Sequence, residues 1–117
     1  MLILPIKKQW YDMILSGEKK EEYREIKPYY EKRFSTYFMG ENSLLVNGKK
    51  GTLNEWLLTD IKFIKPVKFR NGYSSKSPSF VAECQLMRGK GKPEWGAEPD
   101  KEYYILKILE VYHEADI

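Results

Sequence analysis

One stretch near the C-terminal end limits the possible folds more than any other. The run YYILKILEVY, residues 103–112, is almost continuously hydrophobic and carries charge only at Lys107 and Glu110. A strand with this pattern is buried on both faces, so it belongs in the interior of a sheet. We therefore predict a sheet in which this segment has a neighbouring strand on each side.

Two further segments alternate between apolar and polar residues, as strands with one buried face do. The residues predicted to face the core are Ile61, Phe63, Val67 and Phe69 in IKFIKPVKF, and Phe80, Ala82, Cys84 and Leu86 in SFVAECQLM. Pro66 interrupts the first of these strands. Because proline cannot donate to a sheet ladder, we expect an edge position or a bulge there.

Short helices are predicted between the strands. After the apolar run LILPI, a buried strand at residues 2–6, the segment KKQWYDMILSG places Trp10 and Ile14 four residues apart, which is typical of one helical face. Gly17 ends this helix, and the charged segment EKKEEYREI that follows it is predicted as a strand. PYYEKRFSTYF has Pro28 in the first turn of a second helix.

A third helix is predicted at TLNEWLLTD, where Thr52 and Glu55 have the spacing of a capping box. Together these elements predict one domain, residues 1–117, of the α+β class. We expect a small β-barrel of about five to six mostly antiparallel strands with short flanking helices.

Composition excludes several classes of site. The single cysteine, Cys84, cannot form an internal disulfide, and with the single histidine, His113, it cannot supply the usual His/Cys zinc site. We expect no metal and no cofactor. No apolar run approaches the ~20 residues of a membrane span. The start MLILPIKKQW has no basic region before its apolar run, so we expect no signal peptide, no membrane partner and a cytoplasmic location.

The positive charge is concentrated in one third of the chain, although the net charge is only +3. Between Ile61 and Pro93 there are eight basic residues and one acidic residue, Glu83. The basic residues are Lys62, Lys65, Lys68, Arg70, Lys76, Arg88, Lys90 and Lys92. This asymmetry suggests either a basic face for phosphate or lysines on the solvent side of strands, and the sequence favours neither.

The segment SGEKKEEYR, residues 16–24, carries six charges in nine residues. On a strand, Glu22 and Arg24 share one face, and Tyr23 points the other way, which we expect to be toward the core. Lys19 could reach over the end of the strand. The spacing alone is compatible with an exposed charged strand or with a functional cluster.

Gly17, Lys19, Glu22 and Arg24 match the motif Gly-x-Lys-x-x-Glu-x-Arg, which here follows a strand and a helix. This arrangement resembles the ASCH (activating signal cointegrator homology) domain of the PUA-like superfamily, in its bacterial and phage form. FRNGY and EWGAEPDKEYYILKI resemble later parts of that subgroup. The resemblance implies a PUA-like barrel with a cleft lined by Lys19, Glu22 and Arg24, which binds single-stranded RNA, a nucleoside or a nucleotide.

The resemblance also implies a hydrolase as an alternative. A related amidohydrolase of acetylated cytidine pairs the motif lysine with a threonine, where this chain has Glu22, and uses a separate glutamate. Glu83 is the nearest candidate for that glutamate by strand order. Another family member is a ribonuclease. Because Glu22 replaces that threonine and its hydroxyl, we do not expect this chain to have the amidohydrolase activity.

Two main hypotheses follow. In an RNA-binding or nucleotide-binding module, Lys19 and Arg24 contact phosphate. Arg70, Lys90 and Lys92 extend the basic surface, and Asn71 either reads a base edge or stabilises a turn. Tyr73 and Trp95 either stack on bases or anchor their loops through a buried ring. In a hydrolase, Lys19 orients the substrate, Glu22 is the general base and Arg24 stabilises the developing negative charge. A protein-interaction domain with an inactive cleft is a third possibility.

Overall fold

The computed structural model describes residues 1–40, 45–46 and 49–112, so His113 lies outside the described residues. The elements in chain order are β1 (Leu2–Ile6), α1 (Lys8–Leu15), β2 (Glu21–Glu25), α2 (Pro28–Phe34), β3 (Leu45–Val46), β4 (Lys49–Lys50), α3 (Leu53–Trp56), β5 (Phe63–Asn71), β6 (Ser79–Lys90) and β7 (Glu102–Tyr112). A π-helical turn follows α2 at Ser35–Met39, and a 3-10 turn lies between β6 and β7 at Pro93–Trp95.

Five strands form one curled, half-barrel sheet in the order β1-β5-β6-β7-β2. The β1–β5 pairing is parallel and the other three are antiparallel, while β3 and β4 form a separate two-stranded sheet. The predicted α+β class and the mostly antiparallel sheet are confirmed. Residues 103–107 of the hydrophobic run lie in β7 between β6 and β2, as the pattern predicted, whereas residues 108–112 pair with β6 alone and Leu109 is 44% exposed.

The concave face of the sheet holds the core, and the predicted alternation is confirmed on both central strands. Phe63, Val67 and Phe69 of β5 are buried there, as are Phe80, Ala82, Cys84 and Leu86 of β6. Ile14 of α1 and Phe34 of α2 cover this face from the other side. The sheet therefore packs against its helices through one continuous hydrophobic core.

Local sequence signals explain where several helices and strands begin or end. Gly17 has a φ of +86°, which ends α1 without strain, and Thr52 and Glu55 form both hydrogen bonds of the capping box that begins α3. Pro66 lies in β5 just before Val67, the first residue that pairs with β1. The strand is locally an edge at Pro66, as the sequence predicted.

The two edge strands of the half-barrel, β1 and β2, approach each other at Arg24. Its Nη2 donates a 2.9 Å hydrogen bond to the backbone oxygen of Pro5 in β1. Arg33 of α2 donates to the oxygen of Ile3 on the same strand, at 3.3 Å. Two guanidinium groups thus satisfy carbonyls that an edge strand would otherwise expose. This link places the end of β1 beside the charged strand β2.

Tyr23 does not point toward the core, so that prediction was wrong. Glu22 and Arg24 lie opposite Leu106 and Tyr104 of β7, which belong to the core, and the intervening Tyr23 therefore faces the convex side. There its hydroxyl accepts a 2.9 Å hydrogen bond from the Lys92 backbone N–H. Segment 91–97 covers the ring, which explains how an aromatic side chain is accommodated on that face.

The same segment extends to α1. A Cβ built on Gly96 would lie 3.0 Å from the Trp10 ring, and one built on Gly91 would lie 2.7 Å from the Tyr23 ring. The backbone therefore passes close to both aromatic rings. Glycine is required at position 91, because a side-chain Cβ there would lie only 2.7 Å from the Tyr23 ring. This close packing holds the segment over the edge of β2.

Candidate functional site

Three charged side chains form a chain of ion pairs at the edge of the core. Lys19 Nζ lies 3.1 Å from Glu22 Oε1, and Glu22 Oε2 lies 2.9 Å from Arg24 Nη2. Lys19 is 1% exposed and Glu22 is 6% exposed. Burial of charges at this level requires every group to be paired, and the two cations share the single carboxylate. The exposed-strand interpretation of SGEKKEEYR is therefore wrong for these three residues.

Lys19 connects three parts of the chain. Its Nζ donates a 2.5 Å hydrogen bond to the Trp95 backbone oxygen and lies 4.1 Å from the centre of the Trp10 ring. The Tyr23 ring is 5.5 Å away on β2. The ammonium group is thus surrounded by a carboxylate, a carbonyl and two aromatic faces, all of which stabilise a cation. Lys19 joins α1, β2 and the 3-10 turn.

Burial and pairing change the pKa values of both cations. Burial lowers the pKa of Lys19 below its ordinary value, and the Glu22 carboxylate opposes that decrease. Burial also acts to lower the pKa of Arg24, but Glu22 and the Tyr30 hydroxyl outweigh it, so the Arg24 pKa is raised. Arg24 therefore remains a cation at every physiological pH.

Arg24 is held by three different partners. Besides Glu22 and the Pro5 carbonyl, its Nη1 donates a 3.3 Å hydrogen bond to the Tyr30 hydroxyl. Only a planar group with several N–H donors can reach partners on β1, β2 and α2 together. The guanidinium is therefore fixed at the seam between the two edge strands.

A cleft of about 460 Å³ opens beside this seam. It is lined by Pro5, Ile6, Lys7, Lys8, Trp10, Glu22, Tyr23, Arg24, Asn71, Gly72 and Tyr73. These residues come from the end of β1, the start of α1, strand β2 and the turn after β5. The Gly72 N–H donates a 3.1 Å hydrogen bond to the Ile6 oxygen, which ties that turn to β1. The cleft exists because the sheet curls and brings these four segments together.

The chemistry of the cleft combines cations, aromatic rings and one amide. Lys7 and Lys8 are exposed at its wall, and Tyr73 is 91% exposed. Asn71 supplies a side chain that can both donate and accept hydrogen bonds. Such a set of groups can stack on a planar ring, pair with its polar edge and attract an anion.

The structure brings only part of the sequence-predicted site together. Glu22, Arg24, Asn71 and Tyr73 line the cleft, whereas Lys19 lies behind its wall. The other predicted residues, Arg70, Lys90, Lys92 and Trp95, do not line it.

Each of these four residues has a different position. Arg70 lies on β5 beside the buried Phe69, with alternation placing it on the opposite face. Lys90 is 3.5 Å from Asp100, and the Lys92 Nζ lies 4.6 Å from the centre of the Trp95 ring. Trp95 contacts the cluster through its backbone carbonyl, which accepts a hydrogen bond from Lys19, and its side chain is half-buried.

Glu83, the candidate for a separate glutamate, does not line the cleft either. Its Oε2 accepts a 2.5 Å hydrogen bond from the Tyr112 hydroxyl, and it lies opposite Pro66 in the β5–β6 pairing. Sequence reasoning missed Lys7, Lys8 and Trp10, which line the cleft. Trp10 was interpreted only as part of the apolar helical face. The two lysines directly before that helix are the signal that could have indicated a basic wall.

Within residues 1–40 and 49–112, no helix is long and apolar enough to cross a membrane. Comparisons of this chain with protein-family models, with curated proteins and with solved structures each find no significant match.

Proposed function

We propose that the cleft binds a nucleotide of single-stranded RNA, with one base between the aromatic side chains and the adjoining phosphate near the lysines. The observation that carries this proposal is the meeting of Arg24, Asn71 and Tyr73 in one cleft with Trp10 and a basic wall. These groups match the three parts of a nucleotide: a planar base, its polar edge and an anionic phosphate.

The aromatic residues supply the sequence-tolerant part of this recognition. Tyr73 is almost fully exposed, so its ring is free to receive a stacking partner. Trp10 lines the same cleft, while its ring also covers the Lys19 ammonium. Stacking on an aromatic side chain contributes about 1–3 kcal/mol per base.

The polar groups supply orientation. The Asn71 amide can pair with a base edge from the turn that Gly72 ties to β1. Lys7 attracts the phosphate together with Lys8, whose ammonium is paired with Asp12 at 2.5 Å, and the Arg24 guanidinium adds a fixed positive charge at the seam. Glu22 keeps Arg24 and Lys19 in place and is assigned a positioning role.

Membership of the ASCH group and a PUA-like fold are part of this proposal. The match of Gly17, Lys19, Glu22 and Arg24 to the motif supports it, as does the small, curled and mostly antiparallel sheet. The burial of the motif residues gives a physical reason for the pattern. Gly17 allows the turn, and the three charges must occur together because each is buried with the others.

The geometry favours binding over hydrolysis. Lys19 is buried behind the wall with its donors directed at Glu22 and the Trp95 carbonyl, so it has no path to a substrate in the cleft. Both oxygens of Glu22 are paired with cations. Among the described residues that line the cleft there is no serine, threonine or cysteine to act as a nucleophile.

Substitution of Tyr73 by alanine tests the proposal. We expect Tyr73→Ala to weaken binding of a fluorescein-labelled single-stranded RNA by roughly 5-fold to 150-fold, because one stacking contact is lost. Fluorescence anisotropy at low salt measures this change, and the wild-type affinity should fall steeply as salt is added. Leu58→Ala is the control, since Leu58 is 84% exposed and outside the cleft. Equal affinities for both variants, or no binding by the wild type at low salt, would refute the proposal.

A further inference from the structure

A second cleft, of about 470 Å³, lies at the other end of β1. It is lined by Met1, Leu2, Lys32, Arg33, Thr36, Tyr37 and Lys65. These residues come from the start of β1, from α2 and its π-helical turn, and from β5. The first cleft shares none of them.

The lining of the second cleft carries positive charge only. Lys32, Arg33 and Lys65 contribute three cations, and the lining includes no aspartate or glutamate. Lys32 and Lys65 are exposed and form no ion pair with any residue in the described part of the chain. Three converging cations without a carboxylate repel one another, and an anion that binds between them relieves this repulsion.

Fixed groups surround these cations. The Tyr37 hydroxyl donates to the Pro66 backbone oxygen, which anchors the ring, and Lys65 Nζ lies 5.0 Å from the centre of that ring. Arg33 is held by the Ile3 carbonyl and by the Tyr29 hydroxyl, at 3.3 Å and 3.2 Å. The Thr36 hydroxyl adds a neutral donor to the lining. The cleft therefore has a fixed guanidinium and two lysines that can move toward a ligand.

The two clefts are separated by the length of β1. The first includes Pro5 and Ile6, and the second includes Met1 and Leu2, so about 10–15 Å separate them at ~3.3 Å per strand residue. In a duplex, the phosphates of one strand advance about 3.4 Å each along the axis. A single strand stacked to the same extent, with a base in the first cleft, reaches the second one about three to four nucleotides away, and a more extended strand reaches it in fewer.

We propose that the second cleft binds a backbone phosphate of the same RNA strand whose base occupies the first cleft. This inference rests on the proposed function. It predicts a footprint of several nucleotides, with base recognition at one end of β1 and electrostatic anchoring at the other. A single nucleotide bound in the first cleft leaves the second cleft empty.

The test compares Lys32→Ala/Lys65→Ala with the control Lys62→Ala/Lys107→Ala, whose lysines are exposed and line neither RNA cleft. The probes are an eight-nucleotide single-stranded RNA and uridine 5′-monophosphate. We expect the Lys32→Ala/Lys65→Ala variant to bind the octamer roughly fivefold to tenfold more weakly than the control variant does. The slope of log affinity against log salt concentration should become smaller by about 0.7, because one phosphate contact is lost. Affinity for the mononucleotide should be unchanged in both variants.

Octamer affinities and salt slopes that are equal in the two double variants would overturn this inference. If Tyr73→Ala still weakens octamer binding in that case, the proposed function stands and only the second cleft is excluded. If the Lys32→Ala/Lys65→Ala variant binds the octamer more weakly but Tyr73→Ala does not, the proposal that one strand spans both clefts is overturned. A loss of mononucleotide affinity in the Lys32→Ala/Lys65→Ala variant would also contradict the proposal for the second cleft.

Discussion

Replacing Glu22 by glutamine is expected to lower the free energy of unfolding by about 3–5 kcal/mol, because it leaves two buried cations without their shared carboxylate. Glutamine has nearly the same shape, so the loss reports charge rather than packing. Lys19 and Arg24 would then repel each other at a site where Lys19 is 1% exposed and the Arg24 side chain only 13% exposed. Urea denaturation followed by tryptophan fluorescence measures the loss, since Trp10 lies directly against Lys19.

Two further variants make the Glu22 result specific. Glu18→Gln removes a carboxylate at an exposed position in the same segment and should change stability by no more than about 0.5 kcal/mol. Lys19→Met/Glu22→Gln removes one of the two unpaired cations and should be more stable than Glu22→Gln alone. A Glu22→Gln protein as stable as the Glu18→Gln control would show that the three charges do not form the buried network described above.

Replacing Arg24 by lysine keeps the positive charge but is expected to cost roughly 2–4 kcal/mol of stability, because charged hydrogen bonds contribute about 1.5–3 kcal/mol each. An ammonium group cannot reach Glu22, the Pro5 carbonyl and the Tyr30 hydroxyl at the same time. Because Arg24 also joins the two edge strands beside the cleft, RNA affinity should fall in the same variant. Denaturation and fluorescence anisotropy measure the two effects.

Arg88→Lys is the matched control for this substitution. Arg88 pairs with Glu102 at 3.3 Å on a more exposed part of the surface, where such pairs contribute about 1 kcal/mol or less. If Arg24→Lys and Arg88→Lys lose the same small amount of stability, Arg24 does not close the half-barrel.

The local parts of the fold were predictable because burial leaves a period in the sequence. Phe80, Cys84 and Leu86 lie on the same face of β6 at even spacing, and the continuous run at residues 103–112 indicated the interior strand. The end of α1 at Gly17 also follows from a single residue, because only glycine adopts that φ without strain.

The composition of the cleft could not be predicted in full, because it depends on which edges of the sheet meet. Alternation along β2 correctly predicted that Glu22 and Arg24 share a face, but it does not indicate which face of the strand meets the core. For this reason the predicted orientation of Tyr23 was wrong. Lys7 and Trp10 join the cleft only through the approach of β1 to Arg24, which is a long-range contact with no local sequence pattern.

The role of Trp95 illustrates a second limit. A tryptophan in a glycine-containing loop suggested either base stacking or anchoring of the loop by its ring, and neither reading included the bond that its backbone oxygen accepts from Lys19. Any residue has a carbonyl, so no residue type reveals such a contact in advance.

A titration of the ¹⁵N-labelled protein with uridine 5′-monophosphate at low salt, followed by amide and indole NMR signals, tests the central claim most directly. We predict that the largest shift changes occur at the Trp10 indole N–H, the Asn71 side-chain amide and the backbone amides of Gly72 and Tyr73, because these groups line the cleft. Signals of Lys62 and Lys107 should stay unchanged. Shift changes confined to residues outside the cleft, or none at saturating nucleotide, would contradict the account.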